Sequence, residues 1–264
     1  MRKLGVAVIG VGFWGRNHAR VYHDLGTAEL VAVCDLDEQR ARDVAAKYGA
    51  DVYTDSSELL RREDVEAVSV CTWSTALASE AAKALEAGKH VLVEKPMAAS
   101  SEEAAHLVRL AEREGLTLAV GFIERFNPGV QYVRELIHSG RLGQVVALSA
   151  RRLSRWPQRP WDVGVVKDLA IHDVDLMCYL LEEEPASIYA MVGKLRREDM
   201  EDYATILLAF PGSTVGLIEA NWLTPYKVRT LRITGSEATV DLDYLEQRIT
   251  VRSEEGAFTP NRPW

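Results

Sequence analysis

The stretch Val8-Ile9-Gly10-Val11-Gly12-Phe13-Trp14-Gly15 decides how the first half of this chain reads. An apolar run over residues 4–9 ends at its first glycine, as a strand buried on both faces does. Residues 16–22 then read as a helix. In a strand-turn-helix each glycine has a task. Gly10 permits the tight turn, Gly12 lets a pyrophosphate approach the backbone, and Gly15 lets the helix pack on the sheet. N–H groups at the helix start then face the phosphates.

A glycine-rich turn alone is common, so its surroundings matter. Residues 29–34 read as a second strand, and Asp35 sits at its carboxyl end, twenty residues after Gly15. A carboxylate there accepts hydrogen bonds from ribose hydroxyls and repels a 2′-phosphate, which favours NAD over NADP. Arg40 lies close enough in sequence to alter that balance. The rhythm continues with helices over 36–48 and 75–86 and strands over 67–71, 90–93 and 116–121. Gly88 supplies a helix stop, while Ser100 and Glu103 form a capping box for a further helix. Short strands alternating with helices specify a parallel sheet covered on both faces, a Rossmann domain over residues 1–121.

Glu94-Lys95-Pro96 follows the strand over 90–93, at the edge where such sheets meet their ligands. It reads either as a charged surface turn or as a functional group. In the second case the Lys95 ammonium stabilises charge developing on a reacting oxygen, and Pro96 helps to aim it.

After residue 121 the pattern changes. Helices fit residues 128–138 and 168–181, and a strand fits 145–153. From residue 186 onward short strands dominate, over 186–192, 203–210, 214–222, 228–234, 238–242 and 247–251. Gly212-Ser213 and Gly235-Ser236 fit hairpin turns. The expectation for residues 122–264 is an α/β domain with a mostly antiparallel open sheet, helices on one face and the other free for a partner. Such a domain would close a cleft over the nucleotide-binding sheet. Asp168, His172 and Asp175 are spaced to share one side of a helix, with Asp173 elsewhere. His172 is either an ordinary structural histidine or a base for a hydroxyl proton, oriented by Asp168.

Composition narrows the classes. The chain has 264 residues, enough for two domains, and a formal charge of −8 with both signs intermixed. No basic stripe with interleaved aromatics suggests nucleic acid. The three cysteines, Cys34, Cys71 and Cys178, read as buried thiols, and no His/Cys spacing indicates a metal. Without a long apolar run or leader-like start, the expected setting is the cytoplasm.

Taken in order, Gly10-Val-Gly12-Phe-Trp-Gly15, Glu94-Lys95-Pro96, Gly121-Phe-Ile-Glu-Arg125-Phe-Asn127-Pro128 and Asp168-Leu-Ala-Ile-His172-Asp173 resemble the Gfo/Idh/MocA family. The likeness covers nearly the whole chain. It implies Lys95, Asp168 and His172 as catalytic residues for NAD-dependent hydride transfer, and a homodimer or homotetramer built through the open sheet. It also implies cofactor contacts at Gly10, Gly12, Phe13, Trp14, Gly15, Asp35, Thr72, Trp73, Glu94, Lys95 and Arg125.

A narrower likeness, in 121–128 and in Glu219-Ala-Asn221-Trp-Leu-Thr-Pro-Tyr-Lys227, is to the UDP-sugar 3-dehydrogenase branch. It implies a UDP-N-acetylamino sugar as substrate, with an inositol or free sugar as the alternative. Lys95, Asn127, Arg151, Arg155, Asp168, His172, Asn221 and Lys227 are then the substrate contacts. The basic side chains, Arg152 included, otherwise form an ordinary solvated face, and Trp156 and Trp161 pack on a sugar or in the core. Two departures stand out: Trp73 replaces the family's proline and Leu77 its histidine. The chain also stops at Pro263-Trp264, before a further helix that relatives usually carry. Both features leave open a scaffold or sensor that binds NAD without turnover.

Overall fold

The computed structural model describes residues 2–158 and 162–260. Trp161 and the terminal Pro263-Trp264 lie outside the described residues. The chain divides into two compact units, Met1–Gly121 and Phe122–Trp264.

The first unit runs β1 (Leu4–Ile9), α1 (Phe13–Asp24), β2 (Ala28–Cys34), α2 (Glu38–Tyr48), β3 (Asp51–Tyr53), α3 (Ser56–Leu60), β4 (Ala67–Val70), α4 (Ser74–Glu86), β5 (His90–Val93), α5 (Ser101–Glu114) and β6 (Leu118–Val120). Its six strands lie in the order β3-β2-β1-β4-β5-β6, all parallel. The chain therefore builds outward from β1 to one side, then returns to place β4 on the other. That reversal opens a crevice beyond the carboxyl ends of β1 and β4, where such sheets hold nucleotides. Strand interiors such as Ala7, Val8, Val33, Val68 and Val91 are almost wholly enclosed, as a sheet covered on both faces requires. The Ser100–Glu103 capping box is formed at the start of α5, with both reciprocal bonds present. β3 and α3 are additions to the sequence reading; they are too short to show a period.

The second unit contains α6 (Pro128–His138), β7 (Val145–Leu153), α7 (Ile171–Leu181), β8 (Ser187–Gly193), β9 (Tyr203–Ala209), β10 (Val215–Asn221), β11 (Val228–Gly235), β12 (Ala238–Asp243), β13 (Arg248–Ser253) and β14 (Gly256–Phe258). Eight strands form one sheet, β14-β13-β12-β11-β7-β10-β9-β8. Only β7 and β10 pair in parallel; every other neighbour is antiparallel. Helices α6 and α7 pack on one face. Their apolar sides meet Leu148, Ala150, Ile206, Ile218, Leu231 and Ile233 in a single core. Alternate residues point the other way: Leu207, Val215 and Leu217 are exposed between buried neighbours, and β8 exposes Ile188, Tyr189 and Met191. The open face expected from the alternation is present.

One element differs in kind. The sequence predicts a continuous helix over 168–181, but residues Val166–Ala170 form a π turn that leads into α7. The wider turn shifts the register of Asp168 relative to a regular α-helix.

Candidate active site

In the first unit the glycine turn has the geometry its residues require. Gly10 sits at φ +86°, and a Cβ there would lie 2.8 Å from the backbone of Cys71 and Thr72. A Cβ on Gly15 would come within 1.9 Å of the Gly10 carbonyl oxygen, so the helix packs directly on the turn. Beside Gly12 the opposite holds: a Cβ would meet nothing within 4 Å. Gly12 is the N-cap of α1, and no side chain caps this helix. An open space thus adjoins a helix start whose N–H groups suit a phosphate. Phe13 and Trp14 extend outward here in an edge-to-face pair, centroids 5.4 Å apart. Thr72 and Trp73 precede α4, with Trp73 as its N-cap and well exposed. Leu36, which sequence reasoning did not single out, is 94% exposed next to Asp35 and offers an apolar surface for a base.

Asp35 is nearly enclosed. Its Oδ2 accepts the Val11 N–H at 2.9 Å, while Oδ1 accepts from Asp37 N and Arg40 Nη1, each at 3.0 Å. A carboxylate has about four acceptor positions, so one remains on Oδ2 for a ribose hydroxyl. A second becomes available if Arg40 turns away. The residues present therefore fit a nicotinamide dinucleotide: open space at Gly12, an uncapped helix start and an acceptor at Asp35.

Lys95 directly follows Glu94, the first residue after β5, and the Lys95-Pro96 bond is cis. Glu94 does not stand free beside it. Oε1 pairs with His18 Nε2 at 3.0 Å and Oε2 accepts the Lys95 N–H at 3.2 Å.

In the second unit Asp168 is buried in the π turn and its N–H donates to the Gly164 carbonyl. His172 is half-buried in the first turn of α7. π turns inside helices recur at functional sites because they displace one side chain from the regular register. The two acidic residues that follow have other tasks. Asp173 accepts Arg152 Nε and Nη2, both at 2.9 Å, and Asp175 accepts Arg125 Nε at 2.9 Å and Nη2 at 2.5 Å. Arg125 is also held between the rings of Phe122 and Tyr179, at 5.4 and 5.1 Å. Arg152, buried on the core side of β7, takes a third contact from Glu124 at 2.9 Å.

Two family profiles match this chain. The oxidoreductase family with an NAD-binding Rossmann fold covers residues 4–122, and the GFO/IDH/MocA C-terminal domain covers residues 130–241. The chain belongs to the Gfo/Idh/MocA family. It is 32% identical over 263 residues to UDP-N-acetylglucosamine 3-dehydrogenase of Acidithiobacillus ferrooxidans, a match spanning 100% of this chain and 81% of that one. The solved structure of that enzyme superposes with a TM-score of 0.89 at 30% identity, covering 100% of this chain and 84% of the other. Inositol 2-dehydrogenase of Rubrobacter xylanophilus is also 32% identical over 263 residues, covering 95% of this chain and 74% of its own. GenD2 of gentamicin A biosynthesis, solved with NAD, aligns at TM-score 0.88 and 30% identity over 92% of this chain and 73% of its own.

As a Gfo/Idh/MocA member the chain is an NAD-dependent oxidoreductase. The two departures from the family pattern now have places. Leu77 is fully enclosed in the core of the first unit, in one apolar cluster with Ala81 and Leu85. Trp73 instead projects outward.

Apart from Lys95, the proposed substrate contacts belong to the second unit, where they are dispersed. Asn127 caps α6 through Gly129 N at 2.9 Å, and Asn221 Oδ1 accepts from Leu223 N, Thr224 N and Thr224 Oγ1, holding the turn after β10. Arg155 Nε donates to the Pro225 carbonyl, and Lys227 is exposed on the same turn. Arg151 points to the open face, paired with Glu219 at 2.8 Å. A cavity of about 410 Å³ on that face is lined by Arg151, Arg232, Asp241, Arg248 and Arg252, with none of Lys95, Asp168 or His172 among its lining. Trp156, partly buried, packs edge-to-face on the buried Trp222 at the margin of the core.

Sequence reasoning stopped at Lys227 and missed Arg229. On β11 it lies opposite Arg152 of β7. Its Nη1 is enclosed without a hydrogen-bond partner. Burial first, and then the charge of Arg152, lower its pKa to about 10 against the opposing pull of Asp173, Asp168 and Glu124. Two arginines side by side on neighbouring strands repel. Arg229 and Arg232 both lie on β11, and nothing in that strand's sequence hints which of them meets Arg152. Among the described residues no group of three or more His, Cys, Asp or Glu could hold a metal ion, and no helix is long and apolar enough to cross a membrane. The three cysteines are unpaired thiols.

Proposed function

We propose that this protein oxidises a secondary hydroxyl of a sugar, C3 of a UDP-N-acetylamino sugar in particular. The observation that carries this reading is the match to the UDP-N-acetylglucosamine 3-dehydrogenase, which runs through the whole of this chain in both sequence and structure. Bound NAD supplies the hydride acceptor. The protein's own groups then have to manage the oxygen and its proton. His172 accepts the hydroxyl proton, and Asp168, one turn earlier, steadies the imidazolium that results. The Lys95 ammonium suits an oxygen whose C–O bond is becoming a carbonyl, when negative charge on it is greatest. Balanced, the alcohol yields a ketone, a reduced cofactor and one proton. Arg229 supplies N–H donors to polar groups of the bound sugar near Asp168.

A second reading is supported by the inositol 2-dehydrogenase relatives: oxidation of an inositol or free sugar, with no need for the diphosphate. In either case the setting is cytoplasmic. Self-association through the exposed apolar residues of β8, β9 and β10 gives a homodimer or homotetramer. Incubation with NAD and a panel of UDP-sugars, inositols and free sugars separates the readings. Reduced cofactor and a product lighter by two hydrogens from UDP-N-acetylglucosamine support the first; turnover confined to inositols supports the second. No turnover across the panel, with NAD still bound, leaves only a scaffold.

A further inference from the structure

A file of polar groups crosses the interior of the first unit and ends at the main chain of Lys95. Tyr22 OH lies 2.7 Å from Ser69 Oγ, Ser69 Oγ lies 3.0 Å from His18 Nδ1, and His18 Nε2 lies 3.0 Å from Glu94 Oε1. The second Glu94 oxygen accepts the Lys95 N–H at 3.2 Å. Ser69 is wholly enclosed, and the side chains of His18 and Glu94 are only 17% and 13% exposed. Three elements contribute: His18 and Tyr22 from α1, Ser69 from β4, and Glu94 from the end of β5.

With a neutral imidazole the donors run in one direction. An ionised carboxylate only accepts, so the His18 proton then sits on Nε2 and leaves Nδ1 as an acceptor. Ser69 donates to Nδ1 and Tyr22 donates to Ser69. Every hydroxyl and ring nitrogen is then used once along the file, and such chains strengthen each other in a poorly hydrated interior. The far wall of the carboxylate is closed as well. A Cβ on Gly121 would stand 3.2–3.3 Å from the Glu94 carboxylate, so that position leaves the group room with little to spare.

We infer that His18 is a positioning residue: it fixes the Glu94 carboxylate, and through it the backbone that carries the Lys95 ammonium. This rests on the role proposed for Lys95 above. A carboxylate bonded only to the next residue's N–H could rotate about its side-chain torsions. Anchored by His18 from another element, it ties the Lys95 main chain to α1 and β4. Misplacing a reacting group by about 1 Å costs on the order of a hundredfold in rate, which is the scale on which such an anchor matters.

The test compares His18→Leu, which keeps bulk and removes both polar atoms, with His18→Gln, which restores a donor toward Glu94. Amide hydrogen exchange at Lys95 and steady-state kinetics are read on the full-length protein, with NAD affinity from fluorescence titration. In His18→Leu the Lys95 amide exchanges at least about tenfold faster and kcat falls about tenfold, while KM and NAD affinity change less than about twofold. His18→Gln recovers most of both. If His18→Leu does not fold, Ser69→Ala removes the next link without adding bulk and is expected to shift the same two readouts. Unchanged exchange at Lys95, or faster exchange spread evenly over α1, β4 and β5 with kcat intact, would overturn the inference. The exchange readout needs no substrate, so failure to oxidise any sugar counts against the proposed function and not against this anchor.

Discussion

Arg152 and Asp173 form a two-point ion pair in the interior of the second unit, with both N···O distances 2.9 Å and side chains 4% and 3% exposed. The pair ties β7 to α7 one residue after His172. Burial alone would lower the Arg152 pKa; the charge of Asp173 and its hydrogen bonds, with Glu124 in support, raise it instead, so the guanidinium stays charged. Breaking such a pair strands a charge, which is costlier than removing both partners. Asp173→Ala should therefore destabilise the protein by about 3–5 kcal/mol in urea melts. Replacing both residues, as Arg152→Met with Asp173→Leu, should cost less than that single change. A loss in the single variant comparable to a surface substitution would refute this account of α7.

Asp35 is the residue proposed to set cofactor choice. Its Oδ2 retains one acceptor position after Val11 N, and its charge opposes a 2′-phosphate. Asp35→Ala should weaken NAD about 10- to 100-fold, the equivalent of one or two charge-assisted hydrogen bonds, and leave NADP comparatively unaffected. Calorimetric titration of both cofactors decides it; equal losses for the two would show that Asp35 acts only on the turn.

Arg229 presents the opposite balance from Arg152, because its enclosed Nη1 has no hydrogen-bond partner among the described residues. An apolar residue of similar length should fit there with less strain on the charge balance. Arg229→Met should gain about 1 kcal/mol of stability, roughly 2–4 °C in melting temperature, and raise KM for the sugar. A variant that is both less stable and unchanged in KM would remove Arg229 from the site.

Alkaline pH should act through the buried thiols. Burial, and then the charges of Glu80 and Asp35, push the Cys34 pKa from 9.0 to about 12, and burial lifts Cys71 in the same direction. Below pH 9 the folded and unfolded chains both hold the Cys34 proton. Between 9.0 and about 12 the unfolded chain ionises first, so stability is lost as pH rises through that window. Melting temperatures of wild type and Cys34→Ala followed from pH 8.5 upward should converge as the wild-type advantage disappears; parallel curves would exclude the thiol as the cause.

Much of this architecture could be read before any coordinates. The β1 bounds, the Ser100–Glu103 box, Pro128 opening α6 and the long alternation of β7 each carry a local rule with enough residues to express it. What stayed hidden depends on distant partners or on departures from a regular period. β3 and β14 have three residues each and show no alternation. The π turn at Val166–Ala170 cannot be told from α-helix by spacing, and the hold of Arg125 on Asp175 is a long-range contact that no local pattern reveals. His18 and Ser69, and Arg152 and Asp173, meet only after the sheets form. Arg151 and Arg152 are adjacent and equally basic, yet the pleat sends one to the open face and buries the other.

Transfer of a labelled hydride tests the central claim most directly. UDP-N-acetylglucosamine carrying deuterium at C3 is incubated with NAD and wild-type protein, and in parallel with His172→Ala and Lys95→Met. The account predicts deuterium in the reduced nicotinamide and a 3-keto product from wild type, with transfer at least about a hundredfold slower in each variant while NAD still binds. Label retained on the sugar throughout, or transfer undiminished in both variants, would contradict it.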